Sequence, residues 1–145
     1  MSYQIFTDAL ADISESMLKD LPDVKMISMQ VDVDGELYTY GPDGNLDNHT
    51  FYKMLRCGKF SSTSQINSEK FKEAFEPELI AGRDVLYLGF SSGMSGTMNS
   101  SKICCNELEE KYPERKIICI DTLCASVGEG FLVQEVCEKC INKIT

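Results

Sequence analysis

Short apolar runs alternate along this chain with segments whose apolar residues recur at helical spacing. Four of the runs have the length and β-prone composition of strands, namely Tyr3–Phe6, Lys25–Val33, Asp84–Phe90 and Lys116–Asp121. The last two are almost continuously apolar, which is typical of strands buried in a parallel sheet. Because helical segments separate the strands, the pattern predicts a three-layer α/β fold, with a mostly parallel sheet and helices on both faces.

The helical segments are recognised by apolar residues three or four positions apart. Those positions are Leu10, Ile13, Met17 and Leu18 after the first strand; Phe51, Met54 and Leu55 within Asn48–Cys57; and Phe71, Ala74, Phe75 and Leu79 after a cap at Asn67 or Ser68. Gly82 is expected to end the third of these helices. A fourth helix is predicted from about Thr97 to Tyr112, before Pro113, and a last one begins near Val127.

A small β-hairpin excursion from the main sheet is predicted after the second strand. Lys25–Val33 alternates between apolar and polar residues, and Asp34-Gly35 is a strong signal for a tight hairpin turn. Glu36–Tyr40 is then the returning strand. The polar stretch Ser61–Gln65 is expected to be extended.

Composition and charge narrow the function. The 145 residues suit one domain with a sizeable core, and 43% of them are hydrophobic. The formal net charge of -9 argues against a nucleic-acid partner, because binding phosphates requires a basic face. The sequence contains no apolar run long enough to span a bilayer, and its start lacks the features of a signal peptide. A cytoplasmic protein without an integral membrane segment is therefore expected.

The seven cysteines are expected to be free thiols, buried or half-buried. Their odd number and the absence of an export signal argue against a disulfide framework. Cys137 and Cys140 have the spacing of a metal-binding pair, but four zinc ligands would need a second pair. Cys119 and Cys124 are too isolated to supply it, so no metal site is predicted.

Small polar residues follow several predicted strands. Thr7-Asp8, Ser91–Thr97 and Thr122–Gly128 each come directly after one, and Ser61–Gln65 is expected at the same edge of the sheet. Ligands of open parallel sheets bind at this edge, where the strands end. Hydroxyls, backbone N–H groups and a helix beginning near Gly96 would form an anion site without Lys or Arg. Such residues also occur in ordinary turns and helix caps, so a single loop of this kind does not by itself indicate a binding site.

A nucleophilic serine is the main enzymatic alternative. The segment "GMSGT" is close to the GxSxG nucleophile elbow, with Ser95 at its centre but Thr97 in place of the last glycine. His49, the only histidine, would have to lie beside Ser95, yet its polar surroundings favour a helix cap or a surface loop. The glycine segment does not end in GKS or GKT, and GxGxxG is absent.

Four segments together resemble the DegV family over nearly the whole chain. "FTDALADI" resembles the family's "TDSxADL", and "STSQINSEKF" is similar to "TTSQPSxxEF". "SSGMSGTMNSS" looks like "SSxLSGTYQSA", and "IDTLCASVGEGFLV" looks like "IDSxxASxGxGLLV". The resemblance implies a non-enzymatic protein that binds a long-chain fatty acid without a cofactor. It also implies a separate ATP-binding fatty acid kinase subunit, which phosphorylates the carboxylate to an acyl phosphate.

Carried over by position, the resemblance implies which residues form the site. The carboxylate would be bound by Thr63, Ser64 and Ser95, with Gly96 and Thr97 offering N–H groups or shaping the helix start. Candidates for lining the acyl chain are Phe90, Met94 and Met98, for which a place in the hydrophobic core is an equal alternative, and no catalytic residue is implied. This sequence departs from the family pattern where Ala9 replaces a serine, Ile66 a proline and Met94 a leucine.

The resemblance also implies a domain organisation. Residues 1–145 correspond to the family's N-terminal α/β lobe. The family's second domain, which supplies a His and an Arg near the head group, is absent from this chain. A kinase-related α/β domain that binds a sugar or a phosphorylated ligand is a further alternative, which the polarity of the ligand would distinguish.

Overall fold

The computed structural model describes residues 3–21 and 24–141, which form two sheets and five α-helices. The strands are β1 (Tyr3–Asp8), β2 (Val24–Ile27), β3 (Met29–Val33), β4 (Glu36–Tyr40), β5 (Ser61–Thr63), β6 (Asp84–Gly89) and β7 (Ile117–Asp121). The helices are α1 (Glu15–Asp20), α2 (Asn48–Arg56), α3 (Ser68–Ile80), α4 (Thr97–Lys111) and α5 (Val127–Ile141). The mixed α/β architecture predicted from the sequence is confirmed.

The main sheet is parallel and has the strand order β2-β1-β6-β7. In its centre Ile5 of β1 lies opposite Val24 of β2 and Leu86 of β6, and Leu86 lies opposite Ile118 of β7. Since all four strands run in one direction, their carboxyl ends share one edge of the sheet. We call this edge the rim.

Helices cover the main sheet from both sides, and successive residues of β1 point to different cores. Phe6 packs in the larger core with Phe71 and Phe75 of α3. Ile5 packs in the smaller core with Val133 of α5 and Leu88 of β6. This alternation produces the predicted three layers.

The predicted hairpin belongs to a second sheet of three antiparallel strands, in the order β4-β3-β5. The expected single strand Lys25–Val33 is wrong in one respect, because Ser28 divides it between the two sheets. The apolar alternation continues across the break, since Ile27, Met29, Val31 and Val33 are all buried. The alternation of apolar and polar residues therefore could not show that the chain passes from one sheet to the other at Ser28.

The segment after β1 is less helical than its spacing predicts. Residues Ala9–Ala11 form one 3₁₀ turn, which the Asp8 carboxylate caps, and Asp12 then has a left-handed backbone with φ of 51°. The α-helix begins only at Glu15, after an N-cap at Ser14. None of the helices in the described part of the chain is long and apolar enough to cross a membrane.

Candidate functional site

Hydrogen bonds of backbone and side-chain groups join the ends of β1, β6 and β7 and the loops that follow them at the rim. The Ser91 N–H donates to the Cys124 carbonyl at 2.9 Å, which joins the loops after β6 and β7. The Thr122 hydroxyl donates to the Gly89 carbonyl at 2.8 Å. The Phe90 N–H donates to Oδ2 of Asp8 at 3.2 Å. The loops expected at one edge of the sheet therefore do lie together.

The fourth predicted loop, residues 61–65, also reaches the start of α4. The Ile66 N–H donates to Oγ1 of Thr97 at 3.2 Å. The Gln65 side chain lies over Gly96, where an added Cβ would overlap its amide. Glycine at position 96 thus leaves space for the Gln65 amide in this orientation. The structure brings the segments "TSQ" and "SGT" into direct contact.

Ser95, Gly96 and Thr97 form the amino-terminal end of α4. Gly96 is the N-cap residue. The Ser95 Oγ accepts the Thr97 N–H at 3.2 Å and lies 3.0 Å from the Thr97 hydroxyl. Thr97 is fully buried, so its N–H and hydroxyl shape the helix start. Ser95 is half-buried and Gly96 is exposed, so both are open to a ligand from the rim.

Thr63 and Ser64 contribute hydroxyls from the other loop. Thr63 ends β5, opposite Val31 of β3, and the Ser64 N–H donates to the Gln30 carbonyl at 3.3 Å. Both residues are exposed. Their backbones are thus held by the second sheet while their side chains face solvent.

A cavity of about 540 Å³ opens beside Ser64 and Gln65. One wall is the segment 25–30 of β2 and β3, and the other is α3. We call it the α3 cavity. Its buried lining includes Phe6, Ile27 and Met29. The volume lies in the range typical of small-molecule sites, about 300–1,000 Å³.

The carboxylate of Glu78 is buried in the wall of the α3 cavity. Burial by itself raises the pKa of Glu78, but hydrogen bonds from Lys25 and Arg83 outweigh it and leave the pKa below its usual value. Lys25 Nζ lies 2.7 Å from Oε1, and the Arg83 guanidinium contacts Oε2. The charge of Glu78 is therefore compensated within the protein.

The three residues predicted to line the acyl chain lie in different surroundings. Met98 is fully buried in the larger core, whereas Met94 is 69% exposed in the loop after β6. Phe90 is half-buried and directly follows the last residue of β6. None of the three lines the α3 cavity.

Two buried carboxyl groups beneath the rim were not singled out from the sequence. Asp8 accepts hydrogen bonds from the Tyr87 hydroxyl at 2.6 Å and from the N–H groups of Phe90 and Leu10. Burial raises the pKa of Asp8, and these hydrogen bonds oppose that increase. The sequence placed Asp8 at the rim only as part of the polar segment Thr7-Asp8, and its burial was not predicted.

The second buried carboxyl is Glu129 in the first turn of α5. It is 0% exposed, accepts one hydrogen bond from the Thr7 hydroxyl at 3.3 Å, and its Oε2 atom has no partner among the described residues. Burial and the charge of Asp8 raise its pKa to about 9. The burial of Glu129 was not predicted from the sequence.

The serine-nucleophile alternative finds no support in the contacts of Ser95. The hydrogen bonds of its Oγ are with Thr97, and His49 is not among its partners. His49 is exposed in the first turn of α2 and lies beside Tyr52 and Arg56. The solvated histidine predicted from the sequence is confirmed.

Most of the cysteines are buried or half-buried free thiols, as predicted, but Cys57 and Cys140 are exposed. Within residues 3–21 and 24–141, no group of three His, Cys, Asp or Glu side chains could hold a metal ion. Cys140 lies beside Tyr3, whose hydroxyl oxygen is 2.8 Å from its sulfur.

Comparison with known sequences gives one family over nearly the whole chain. A model of uncharacterised proteins of the DegV family matches residues 2–142. A DegV domain-containing protein of Clostridium perfringens is 46% identical over 131 residues, which is 90% of this chain and 45% of that protein.

Solved structures share the same fold. A fat acid (stearic acid)-binding protein from Eubacterium ventriosum has a TM-score of 0.88 at 24% identity, covering 99% of this chain and 49% of its own. A hypothetical protein from Thermotoga maritima, described as revealing a fatty acid binding function, has a TM-score of 0.80 at 29% identity, covering 100% and 51%. This chain spans about half the length of the relatives that it matches.

Proposed function

This chain belongs to the DegV family, and we propose that it binds a long-chain fatty acid by its carboxylate at the contact between residues 63–65 and 95–97. The observation that carries the proposal is this contact, in which the Ile66 N–H donates to Thr97 Oγ1 and the Gln65 side chain lies over Gly96, so that the loop with Thr63 and Ser64 reaches the amino terminus of α4. The Thermotoga relative, described as having a fatty acid binding function, supports the ligand class.

The carboxylate would be held by hydroxyl donors and the helix dipole. Thr63 and Ser64 present exposed hydroxyls, and Ser95 can turn its hydrogen toward the ligand while its oxygen accepts the Thr97 N–H. Hydrogen bonds to a charged group contribute about 1.5–3 kcal/mol each. The positive end of α4 adds a favourable interaction with the anion.

The acyl chain, we propose, extends from Ser64 into the α3 cavity. The cavity begins at the loop that would hold the head group, and its buried walls include Phe6, Ile27 and Met29. Each CH₂ group removed from water contributes about 0.8 kcal/mol. The lining by Phe90, Met94 and Met98 implied by the family resemblance stays a second possibility for the chain.

A separate ATP-dependent kinase would act on the bound fatty acid. The carboxylate oxygen would attack the γ-phosphorus of ATP, ADP would leave, and an acyl phosphate would form. Thr63, Ser64 and Gly96 are exposed, so a carboxylate bound there is open to a second protein. The family resemblance alone suggests this partner. A cytoplasmic location is proposed from the sequence, because its start lacks the features of a signal peptide.

Thr63→Val and Ser95→Ala test the carboxylate site. Each substitution removes one hydroxyl donor, so each should weaken oleic acid binding by at least about tenfold. Affinity is measured by isothermal titration of the purified chain, with circular dichroism as the check on folding. Ser62→Ala is the control, because Ser62 neighbours Thr63 on β5 and should leave affinity unchanged.

Two results would contradict the carboxylate site. One is normal oleic acid affinity in both variants. The other is a wild-type chain that takes up no fatty acid and yields none on organic extraction and mass spectrometry. Uptake of a phosphorylated ligand or a sugar instead would favour the kinase-related alternative.

Ala74→Phe tests the course of the acyl chain. Ala74 is half-buried on α3 and lines the α3 cavity, so a phenyl ring there would exclude a few methylene groups. Excluding about two of them corresponds to a loss of affinity of about tenfold for a long chain. Ala81→Phe is the matched control, because exposed Ala81 is the C-cap of the same helix and does not line the cavity. Equal affinities of the two variants for the fatty acid would show that the acyl chain does not occupy this cavity.

A further inference from the structure

Two cysteines far from the proposed carboxylate site meet between α4 and β7. The sulfur of Cys105 on α4 lies 2.6 Å from the sulfur of Cys119 on β7. Cys105 is 7% exposed and Cys119 is half-buried, so the pair is reached from the surface through Cys119. A helix and the strand that follows it bring together residues that the sequence separates.

The surroundings of the pair give its two thiols different roles. The hydrogen bond from Cys105 lowers the pKa of Cys119, with further help from the Ser101 hydroxyl and the Lys102 charge against the effect of burial. The same hydrogen bond and burial raise the pKa of Cys105. Cys119 is thus the thiol that ionises, and thiolates are the reactive form of cysteine.

Neighbouring cysteines lack this arrangement. Cys104, adjacent to Cys105 in sequence, is 1% exposed and packs in the larger core, and burial raises its pKa to about 12. Among the described residues the sulfur contact of Cys119 is with Cys105 and not with Cys104. Cys124 has no sulfur partner among the described residues.

We propose that Cys105 and Cys119 form a redox-active pair that a hydroperoxide converts to a disulfide between α4 and β7. The Cys119 thiolate attacks one peroxide oxygen, which gives a sulfenic acid on Cys119 and releases hydroxide. The Cys105 thiol then attacks the sulfenic sulfur, so that the S–S bond forms and water leaves. Two thiol sulfurs are oxidised and one hydrogen peroxide is reduced.

To test this, the whole chain is treated with hydrogen peroxide, and the remaining thiols are alkylated under denaturing conditions. The protein is then digested with trypsin without reduction. Cleavage after Lys102 and Lys111 gives peptide 103–111, and cleavage after Lys116 and Lys139 gives peptide 117–139. The expected product is these two peptides joined, at the sum of their masses less two hydrogen atoms and with alkyl groups on the free thiols of Cys104, Cys124 and Cys137. Reduction should separate them.

Fragmentation and variants identify the sulfurs. Tandem mass spectrometry distinguishes Cys104 from Cys105 within peptide 103–111, so the assignment survives even if a variant fails to fold. The cross-link should persist in Cys104→Ser and Cys124→Ser and be lost in Cys105→Ser and Cys119→Ser. A cross-link through Cys104, or oxidation of Cys119 that stops at sulfinic acid without any joined peptide, would overturn the proposal.

Discussion

Replacing Glu129 with glutamine is expected to stabilise the folded chain by about 3 kcal/mol at neutral pH. The carboxyl group of Glu129 is fully buried in the first turn of α5, and its Oε2 atom has no hydrogen-bond partner among the described residues. Glutamine has nearly the same shape and can still accept the hydrogen bond of the Thr7 hydroxyl through its carbonyl oxygen. It cannot ionise, and its NH₂ group takes the place of one carboxyl oxygen.

The sign of the effect follows from the pKa. The ordinary pKa of a glutamate carboxyl is 4.5, and in the folded chain burial and the Asp8 charge raise the pKa of Glu129 to about 9. Between these values the folded state holds a proton that the unfolded state has released. The stability of the wild type is therefore fully present below pH 4.5 and falls progressively as pH rises toward about 9.

Urea denaturation at about pH 5 and about pH 8 measures this dependence. Glu129→Gln should unfold like the wild type at the lower pH and need more urea at the higher pH. Glu110→Gln is the control, because Glu110 is exposed on α4 and its substitution should change stability by less than about 0.5 kcal/mol. A Glu129 variant that is no more stable than the wild type at the higher pH would mean that this carboxyl is solvated or paired when the chain is folded.

The rim could be predicted from the sequence because it depends on local order along the chain. Ser91–Thr97 and Thr122–Gly128 follow apolar strands directly, and parallel strands bring their carboxyl ends to one edge. For residues 61–65, the sequence predicted a place at the same edge of the sheet but not the contact with the start of α4. The hydrogen bond from Ile66 to Thr97 that fixes it depends on tertiary packing.

The features that were not predicted are those for which one sequence pattern is compatible with two different structures. The alternation across Ser28 is that of one strand, although the chain passes there from one sheet to another. Glu129 lies in the first turn of a helix, and its burial against Thr7 depends on tertiary packing. Cys105 and Cys119 meet through the fold, and their spacing matches no motif.

The glycine after Glu129 allows α5 to pack against the turn that follows β1. A Cβ atom at Gly130 would lie 2.6 Å from the Ala11 carbonyl oxygen and 3.2 Å from Cγ1 of Ile13. The first contact is with backbone, so a side-chain rotation cannot relieve it. The helix and the turn would have to separate, and with them the Ser126 N–H and the Leu10 carbonyl, which are hydrogen-bonded at 3.0 Å.

Gly130→Ala is accordingly expected to destabilise the chain by about 1–3 kcal/mol, even though alanine is the better helix former. Gly128→Ala is the matched control in the same helix, because a Cβ there would lie 3.5 Å from Cβ of Cys124, an ordinary contact distance. That control should stabilise the chain by up to about 1 kcal/mol through helix propensity. Urea denaturation of both variants measures the difference, and equal stabilities would show that α5 does not approach the Ala11 carbonyl so closely. Since the two substitutions are chemically identical and two residues apart, opposite signs can arise only from the packing of α5 beneath the rim.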